Sequence, residues 1–522
     1  PFRVTELNSN TAFLGSIIVG NGINFGVILL ARYTQERRTG VKLQDAITIA
    51  VWGAGPGTLS ASLAASAAYG SLILTEFRGF RQFGYIGLIG MVLSWAVSFV
   101  LIPPLTVWLD RDGGSARSSA ATTGALMGKV ADVVTRYPRL ILAFGAALTL
   151  ASLLKLSTVG EQNLEHDFSK LRRADTWIDG EGYWGRKMDA VLGSYLTPTV
   201  VLADSPEQAR AVRAKLETAR REPPLSEMVT RVFSIDDVIP TGQTEKLDEV
   251  QKIRAALTPR VREQIPKDKR DQVERLLANE ITAPVGPDDL PPRLLVGLRE
   301  RDGSVGRTVV VFPRPARELW QGPPLAAFVA ALRSAAEEGK PHAGPAARVA
   351  GSLPLSADIL ASVRRDGVFA SIAAFVGVFL VVLGLFRFTR TTLLVMGTLV
   401  VGVAWLGAFA IMTGVKVNFA NFIAFPITFG IGVDYAVNVM SRFQSDGSRD
   451  VRPAIRATGG AVALCSVTTV VGYSSLLLAE NQALFLFGLL AVLGEIVCLV
   501  AGVLLLPAVL TLTSKARTAQ AG

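Results

Sequence analysis

Apolar stretches long enough to cross a bilayer recur along the 522-residue chain, and they predict a polytopic α-helical membrane protein. A membrane span needs about 20 predominantly apolar residues. We predict nine spans, at residues 11–33, 46–74, 82–108, 138–157, 367–386, 391–413, 418–442, 455–478 and 484–510. The second is the least hydrophobic, but its many Ala, Gly and Ser residues are typical of closely packed membrane helices.

Residues 158–365 interrupt this pattern and predict a water-exposed domain, because they contain no apolar run of span length. The stretch 194–204, rich in Thr and Val, predicts a strand, 205–220 predicts an N-capped helix, and 231–240 predicts a second strand. This order predicts an α/β domain with a β-α-β unit. The highly charged stretch 244–280 predicts a helical hairpin inserted into that domain.

Basic residues determine the predicted orientation in the membrane. The formal net charge of +10 belongs almost entirely to the membrane part, because basic and acidic residues nearly balance within 158–365. Arg and Lys clusters follow the first, third, fifth and seventh spans, and the positive-inside rule places such ends in the cytoplasm. Nine spans then place the 158–365 domain on the outer side. The basic residues indicate topology and no nucleic-acid partner.

Two parts of the chain are similar to each other. When residues 20–33 are laid over 430–443, identical Gly, Val and Arg residues coincide, and further on Tyr69 falls on Tyr473. Both copies have the same cytoplasmic ends, so they form a parallel repeat about an axis along the membrane normal. The second copy has more spans and the outer domain before its repeated helix. We therefore expect the natural protein to contain a matching region before residue 1.

This duplicated architecture, together with the motif GIGVDY at residues 430–435, resembles the resistance–nodulation–division (RND) superfamily. The motif is similar to that of its MMPL-type, lipid-exporting branch. Hopanoid exporters of Gram-negative bacteria are one subgroup of this kind, although no residue here singles them out. The resemblance covers essentially the whole chain and implies a multi-pass protein of the bacterial inner membrane.

The resemblance also implies a division of the chain. It assigns residues 1–110 to the last three helices of the first repeat and 111–136 to a cytoplasmic linker. The second repeat then begins with one helix at 137–157, followed by a periplasmic porter-like domain at 158–365 and a five-helix bundle at 366–512. Residues 513–522 form a cytoplasmic tail.

Proton-driven export is the activity that the resemblance implies. In the family, the aspartate of the fourth repeat helix belongs to a proton relay, which implies that role for Asp434, with Tyr435 beside it. The residues themselves agree with this. Arg442 marks the cytoplasmic interface, and Asp434 lies eight residues deeper, about 12 Å along the helix axis. At that depth an isolated carboxylate is costly, and such residues mark functional sites.

Further polar residues accompany Asp434 in the predicted relay. Asn438 lies one turn further along the same helix face and can donate a hydrogen bond to the carboxylate. Glu495 is a second acid well inside a span, at a place where MMPL-type proteins often have one. The neighbouring span carries hydroxyl groups that could support either acid, on Ser466, Thr468 and Thr469. The alternative is that the acids are structural groups whose hydrogen bonds are satisfied, and that the hydroxyl groups hold neighbouring helices together.

The first copy departs from the family pattern. It has Asn24 where the second has Asp434, and Met91 where the second has Glu495. Asn24 cannot titrate, so a symmetric relay of two aspartates is excluded. A relay within the second copy remains, in which Asn24 could be a hydrogen-bond partner across the repeat interface.

Three classes of function remain open. The first is a proton-coupled exporter of lipid or other hydrophobic molecules, with drug efflux as a variant. The second is a protein-translocation accessory, and the third is a sterol-sensor-like receptor built from the same five-helix unit. We expect no enzyme activity, cofactor or metal, because His166 and His342 are far apart and no catalytic or phosphate-loop motif is present. A homo-oligomer and a periplasmic partner both remain open.

The charge bias gives a direct test of orientation. In sealed right-side-out spheroplasts, added protease should cleave the 158–365 domain rapidly and spare the 444–453 loop, because only the former lies outside. Immunoblots with tags at the two sites measure this. Protection of the domain would mean that the orientation is reversed.

Overall fold

A computed structural model describes residues 11, 13–110, 120–193, 195, 197–239, 242–278, 283–341, 344–445 and 450–521. The parts of the linker, the helical hairpin and the 444–453 loop that fall between these ranges lie outside the described residues, as does His342. The chain forms two compact units: Pro1–Asp175 with Ile359–Gly522, and Thr176–Asp358.

The first unit is a helical bundle. Its helices before the second unit are α1 (Leu14–Arg38), α2 (Leu43–Ser71), α3 (Arg78–Leu109), α4 (Ala120–Arg136) and α5 (Pro138–Leu156). We number the later helices α13 (Ser352–Phe386, which begins in the second unit), α14 (Arg390–Met412), α15 (Ala424–Ser445), α16 (Arg452–Ser474), α17 (Gln482–Val500) and α18 (Leu506–Ala521), the last two joined by a π-helical turn at Ala501–Leu505.

Nine helical segments among the described residues are long and apolar enough to cross a membrane, and each overlaps one of the nine predicted spans. The prediction of a polytopic helical membrane protein is therefore confirmed. The segment containing α15 lies at the centre of the bundle, because 89% of its apolar window is buried, whereas Pro138–Leu156 at the periphery has only 11% buried.

The second unit contains a four-stranded antiparallel sheet with helices packed on it. Its strands are β1 (Thr199–Leu202), β2 (Val229–Ser234), β3 (Thr308–Pro313) and β4 (Arg348–Ala350), in the order β2-β3-β1-β4. Its helices are α6 (Glu181–Leu192), α7 (Pro206–Ala219), α8 (Leu225–Met228), α9 (Gln243–Ala256), α10 (Pro259–Glu263), α11 (Lys267–Ala278) and α12 (Gly322–Glu338).

This topology is that of a split β-α-β fold. Strands β1 and β2 both pair antiparallel with β3, which lies between them, so they run parallel to each other and are joined through α7. Strands β3 and β4 flank β1 in the same way and are joined through α12. Two interlocked β-α-β units make a ferredoxin-like arrangement, as the predicted α/β class requires. Helices α9 to α11 occupy the predicted hairpin region between β2 and β3.

The two repeat copies in the bundle pack reciprocally. Helix α1 packs on α16, and its repeat equivalent α15 packs on α2, the equivalent of α16. At the first contact, a Cβ added to Gly20 would lie 3.3 Å from the Cα atom of Gly472. At the second, a Cβ added to Gly430 would lie 2.6 Å from the Cβ atom of Ala68. Gly20 is equivalent to Gly430 and Gly472 to Ala68, so the parallel repeat is also a structural one.

Close approach at the second contact predicts a sensitive position. Gly430→Ala should destabilise the bundle by about 1–3 kcal/mol, because overpacking a tight core forces backbone shifts. The new methyl group would also lie 2.8 Å from the Cα atom of Ala65, which is backbone and cannot rotate away. The thermal unfolding midpoint of the detergent-purified protein measures the effect.

Gly397→Ala is the matched control, because it lies within α14 and a Cβ there meets no atom within 4 Å. The control should leave the midpoint unchanged or raise it slightly, since Ala favours helix over Gly. Equal midpoints for the two variants would contradict the close approach of α15 to α2.

Candidate functional site in the membrane bundle

Asp434 lies on α15, the most buried candidate span, and its side chain is only 7% exposed. The side-chain amide of Asn438 donates one hydrogen bond to the Asp434 carboxylate and lies 2.9 Å from the Asp434 main-chain oxygen. Within the described residues, no other side chain hydrogen-bonds to this carboxylate. The spacing of four residues brings Asp434 and Asn438 together on one face of the helix, as the sequence predicts.

That face of α15 points toward α2. One turn before Asp434, Gly430 contacts Ala65, and one turn after it the Asn438 amide oxygen lies 3.5 Å from the Cβ position of Gly57. Helix α2 meets α15 here at Gly57, Ala65 and Ala68, and no described side chain of α2 hydrogen-bonds to the carboxylate. Burial of an ionised carboxylate is costly under these conditions, because one donor compensates only part of its lost hydration.

Asn24, the equivalent of Asp434 in the first copy, has a richer set of partners. Its Nδ2 donates to the Thr469 hydroxyl at 3.0 Å, and the Thr468 hydroxyl donates to its Oδ1 at 3.0 Å. In the repeat alignment, Ala64 and Ala65 take the places of Thr468 and Thr469. The structure thus brings Thr468 and Thr469 together around the Asn24 amide, whereas the repeat-equivalent positions 64 and 65 are alanines, which have no hydroxyl to offer.

Glu495 lies on α17 and is 4% exposed. One of its carboxyl oxygens is buried without a hydrogen-bond partner, and it does not hydrogen-bond to Asp434. Glu495 also lines a small cavity of about 10 Å³ together with Thr428 and Tyr473. A polar cavity of that size has room for about one water molecule, which could supply the missing partner.

The other two residues predicted for the relay, Tyr435 and Ser466, are buried but form no hydrogen bond with Asp434 or Glu495 among the described residues. The Tyr435 hydroxyl is buried without a hydrogen-bond partner, and its Cβ packs against Gly502 in the π-helical turn. Ser466 is buried on α16 and forms no hydrogen bond with either acid among the described residues. Neither side chain therefore touches the Asp434 carboxylate in this structure.

A cluster that the sequence analysis missed lies one turn from Asn24. The amide of Asn21 donates to the hydroxyl of Tyr69 at 3.4 Å and to that of Tyr473 at 3.2 Å, and all three residues are buried. The two tyrosines are repeat equivalents, so each copy supplies one ring to a single amide. Two features of the sequence could have predicted this cluster: the two tyrosines coincide in the repeat alignment, and Asn21 is a polar residue within a predicted span.

A cavity of about 350 Å³ lies near Asp434, between α1, α2, α15 and α16. We call it the arginine cavity, because Arg32 and Arg442 line it. Asn438 also lines it, so the cavity reaches the residue that holds the Asp434 carboxylate. Several of its residues are repeat pairs, namely Ile28 with Asn438, Ala31 with Ser441, Arg32 with Arg442, and Gln35 with Ser445. The sequence analysis interpreted both arginines as topology signals alone.

Comparison with known families identifies the bundle. The sequence profile of the MMPL family matches residues 4–141 and 319–521, which together make up more than half of the chain. The chain belongs to the MMPL family. The resemblance to the RND superfamily and its MMPL-type branch is thereby confirmed.

Two relatives of this MMPL chain are hopanoid transporters named HpnN. The protein from Rhodopseudomonas palustris is 23% identical over 97% of this chain and 62% of its own length. The protein from Burkholderia multivorans is 24% identical over 49% of this chain and 27% of its own length. The chain thus spans less than two thirds of the length of these relatives.

A solved structure has the same fold. The crystal structure of SecDF, a translocon-associated membrane protein from Thermus, matches 96% of this MMPL chain and 54% of its own length, with a TM-score of 0.50 and 17% identity. At that identity the match shows a shared architecture of membrane helices and soluble domain and nothing about activity.

Proposed function

We propose that this MMPL chain belongs to a transporter that uses the proton gradient to export lipids or other hydrophobic molecules, with Asp434 as the principal proton carrier. The supporting observation is the position of Asp434: a buried carboxyl group with one hydrogen-bond donor, next to a residue that lines an open cavity. An intramembrane acid of this kind is a functional-site hypothesis by default.

The surroundings of Asp434 suit a group that changes charge. The neutral acid suits a buried site with a single donor, whereas the anion keeps only the bond from Asn438 and gains hydration through the arginine cavity, which Asn438 lines. Loss of a proton toward the cavity would therefore favour a different packing of α15 on α2. A switch of this type couples protonation to helix movement when both arrangements are packed states.

The relay is one-sided in this proposal. Asn24 cannot titrate, and its amide is already bonded to Thr468 and Thr469. Glu495 is the second titratable group, and the cavity of about 10 Å³ beside it offers a place for a bridging water. Asn438 acts as a positioning residue that orients the carboxylate. Tyr435 is retained as a supporting residue only because it follows Asp434 in the chain.

Orientation and substrate complete the proposal. The positive-inside rule places the end of the bundle at which Arg32 and Arg442 lie in the cytoplasm, and the ferredoxin-like unit on the periplasmic side of the inner membrane. Two HpnN relatives are hopanoid transporters, which favours a polycyclic lipid or a similar hydrophobic molecule as substrate. Mass spectrometry of lipid that co-purifies with the protein would identify the class.

The central variant is Asp434→Asn in the intact transporter. It should abolish lipid flux driven by an imposed pH gradient in proteoliposomes, because the amide has the shape of the protonated acid but cannot release a proton. The fold should remain, since a costly buried carboxyl group has been removed. Flux and lipid binding are measured side by side, and binding should survive.

Asp45→Asn is the matched control, because Asp45 is an exposed acid in the first turn of α2. It should transport at the wild-type rate. Asp434→Asn protein that still transported at that rate would return the carboxyl group to a structural role. Glu495→Gln, measured in parallel, assigns Glu495 to the relay if flux falls while the unfolding midpoint is kept. The sensor and translocation alternatives predict no pH-driven lipid flux in any of these proteins.

A further inference from the structure

We propose that the arginine cavity is a binding site for the phosphate headgroup of an anionic phospholipid from the leaflet that meets this end of the bundle. This inference goes beyond the proposed transport function and does not depend on it, because it concerns a bound lipid at the repeat interface and not the exported molecule. Basic pockets between membrane helices commonly bind anionic headgroups.

The size and position of the cavity suit such a group. Its volume of about 350 Å³ lies within the range of small-molecule sites, which are typically about 300–1,000 Å³. Four helices surround it, two from each repeat copy, so a bound group would contact both copies at once. Arg442 lies eight residues from Asp434, about 12 Å along α15, so an anion at the arginines would not contact the buried carboxyl group.

The charges of the lining favour an anion. Arg32 and Arg442 contribute one guanidinium from each copy, and none of the described residues that line the cavity is acidic. Glu36, outside the lining, pairs with Arg32 Nη2 at 2.9 Å and offsets one of the two charges. The charged residues of the described lining are therefore both cations.

One donor in the lining lacks an acceptor. Arg32 donates from Nη1 to the Gln35 side-chain oxygen at 3.3 Å, but its Nε is buried and has no hydrogen-bond partner. Gly53 faces this atom, and a Cβ at that position would lie 3.4 Å from Nε. A phosphate oxygen is a natural acceptor for the unsatisfied donor, since guanidinium–phosphate bonds are charge-assisted.

Hydroxyl groups add further donors. Ser441, Ser445 and Thr458 line the cavity, all of them from the second copy. Their equivalents in the first copy are Ala31, Gln35 and Ala54 in the repeat alignment. The cavity is therefore symmetric in its arginines and asymmetric in its hydroxyls, which would orient a headgroup in one direction.

The rim of the cavity favours a lipid over free phosphate. Trp52 lines it and is 77% exposed, and Ile49, one turn earlier on α2, is 38% exposed. Exposed Trp is enriched at the level of the lipid headgroups, and Trp52 is next to Gly53, which faces Arg32. An apolar rim beside a cationic pocket matches a molecule with acyl chains and an anionic head.

Native mass spectrometry of the full chain in detergent tests the site. The probes are phosphatidylglycerol, zwitterionic phosphatidylcholine and inorganic phosphate. We expect wild-type protein to retain phosphatidylglycerol in preference to phosphatidylcholine. Arg32→Gln combined with Arg442→Gln should lower the apparent affinity for phosphatidylglycerol by about tenfold or more, because two charge-assisted bonds are lost.

Two further variants make the result specific. Arg38→Gln combined with Arg390→Gln removes the same charge from exposed positions outside the cavity lining, and it should bind like the wild type. Gly53→Leu fills the space beside Arg32 while keeping both arginines, and it should also lose the lipid. This variant decides the matter if the double arginine variant does not fold.

Three results would overturn the proposal. One is equal phosphatidylglycerol binding by the cavity variants and the control variant. The second is equal retention of phosphatidylglycerol and phosphatidylcholine by the wild type. The third is retention of inorganic phosphate by the wild type, but not by the cavity variants, at concentrations where phosphatidylglycerol is not retained. That result would assign the cavity to a free anion.

Discussion

Close packing of the two repeat copies is the constraint on which the membrane bundle depends. Helices α1 and α15 approach α16 and α2 at glycine and alanine, so that main-chain atoms of facing helices come into contact. In a bilayer, such packing is a main source of helix association, because apolar side chains gain nothing by leaving lipid. The same small residues of α2 meet the helix that carries Asp434 one turn before it, and among the described side chains only Asn438 of its own helix donates to the carboxylate. Packing and chemistry are thus linked at one surface.

The differences between the copies matter as much as their similarity. At equivalent places, one copy has an amide bonded to two hydroxyls and the other has an acid bonded to its own helix. Beside them, Ile28 of one copy is replaced by Asn438 of the other, which connects the acid to the arginine cavity. The two copies keep these contacts, whereas the two acids of the candidate relay, Asp434 and Glu495, both lie in the second copy. Because of this asymmetry, we propose a proton path that runs through the second copy alone.

The sequence alone predicts much of this. Nine spans and the repeat follow from the length and period of apolar segments, and the pairing of Asp434 with Asn438 follows from helix geometry within one segment. The α/β class of the second unit follows from strand and helix patterns, but the insertion of β3 between β1 and β2 does not, because pairing order is a long-range property. The Asn21 cluster and the arginine cavity also depend on crossings between helices about 400 residues apart, which no local pattern reports.

The most direct measurement of the central claim is infrared difference spectroscopy of the protein in membranes as the pH is changed. If Asp434 carries the proton, the spectrum should show a carboxylic-acid carbonyl band that is lost as the pH rises and is absent from Asp434→Asn protein at every pH. Glu495→Gln protein should keep the band, because Asp434 is unchanged in it. A spectrum in which no band that depends on Asp434 changes across the pH range where the protein stays folded would contradict proton uptake and release at this residue.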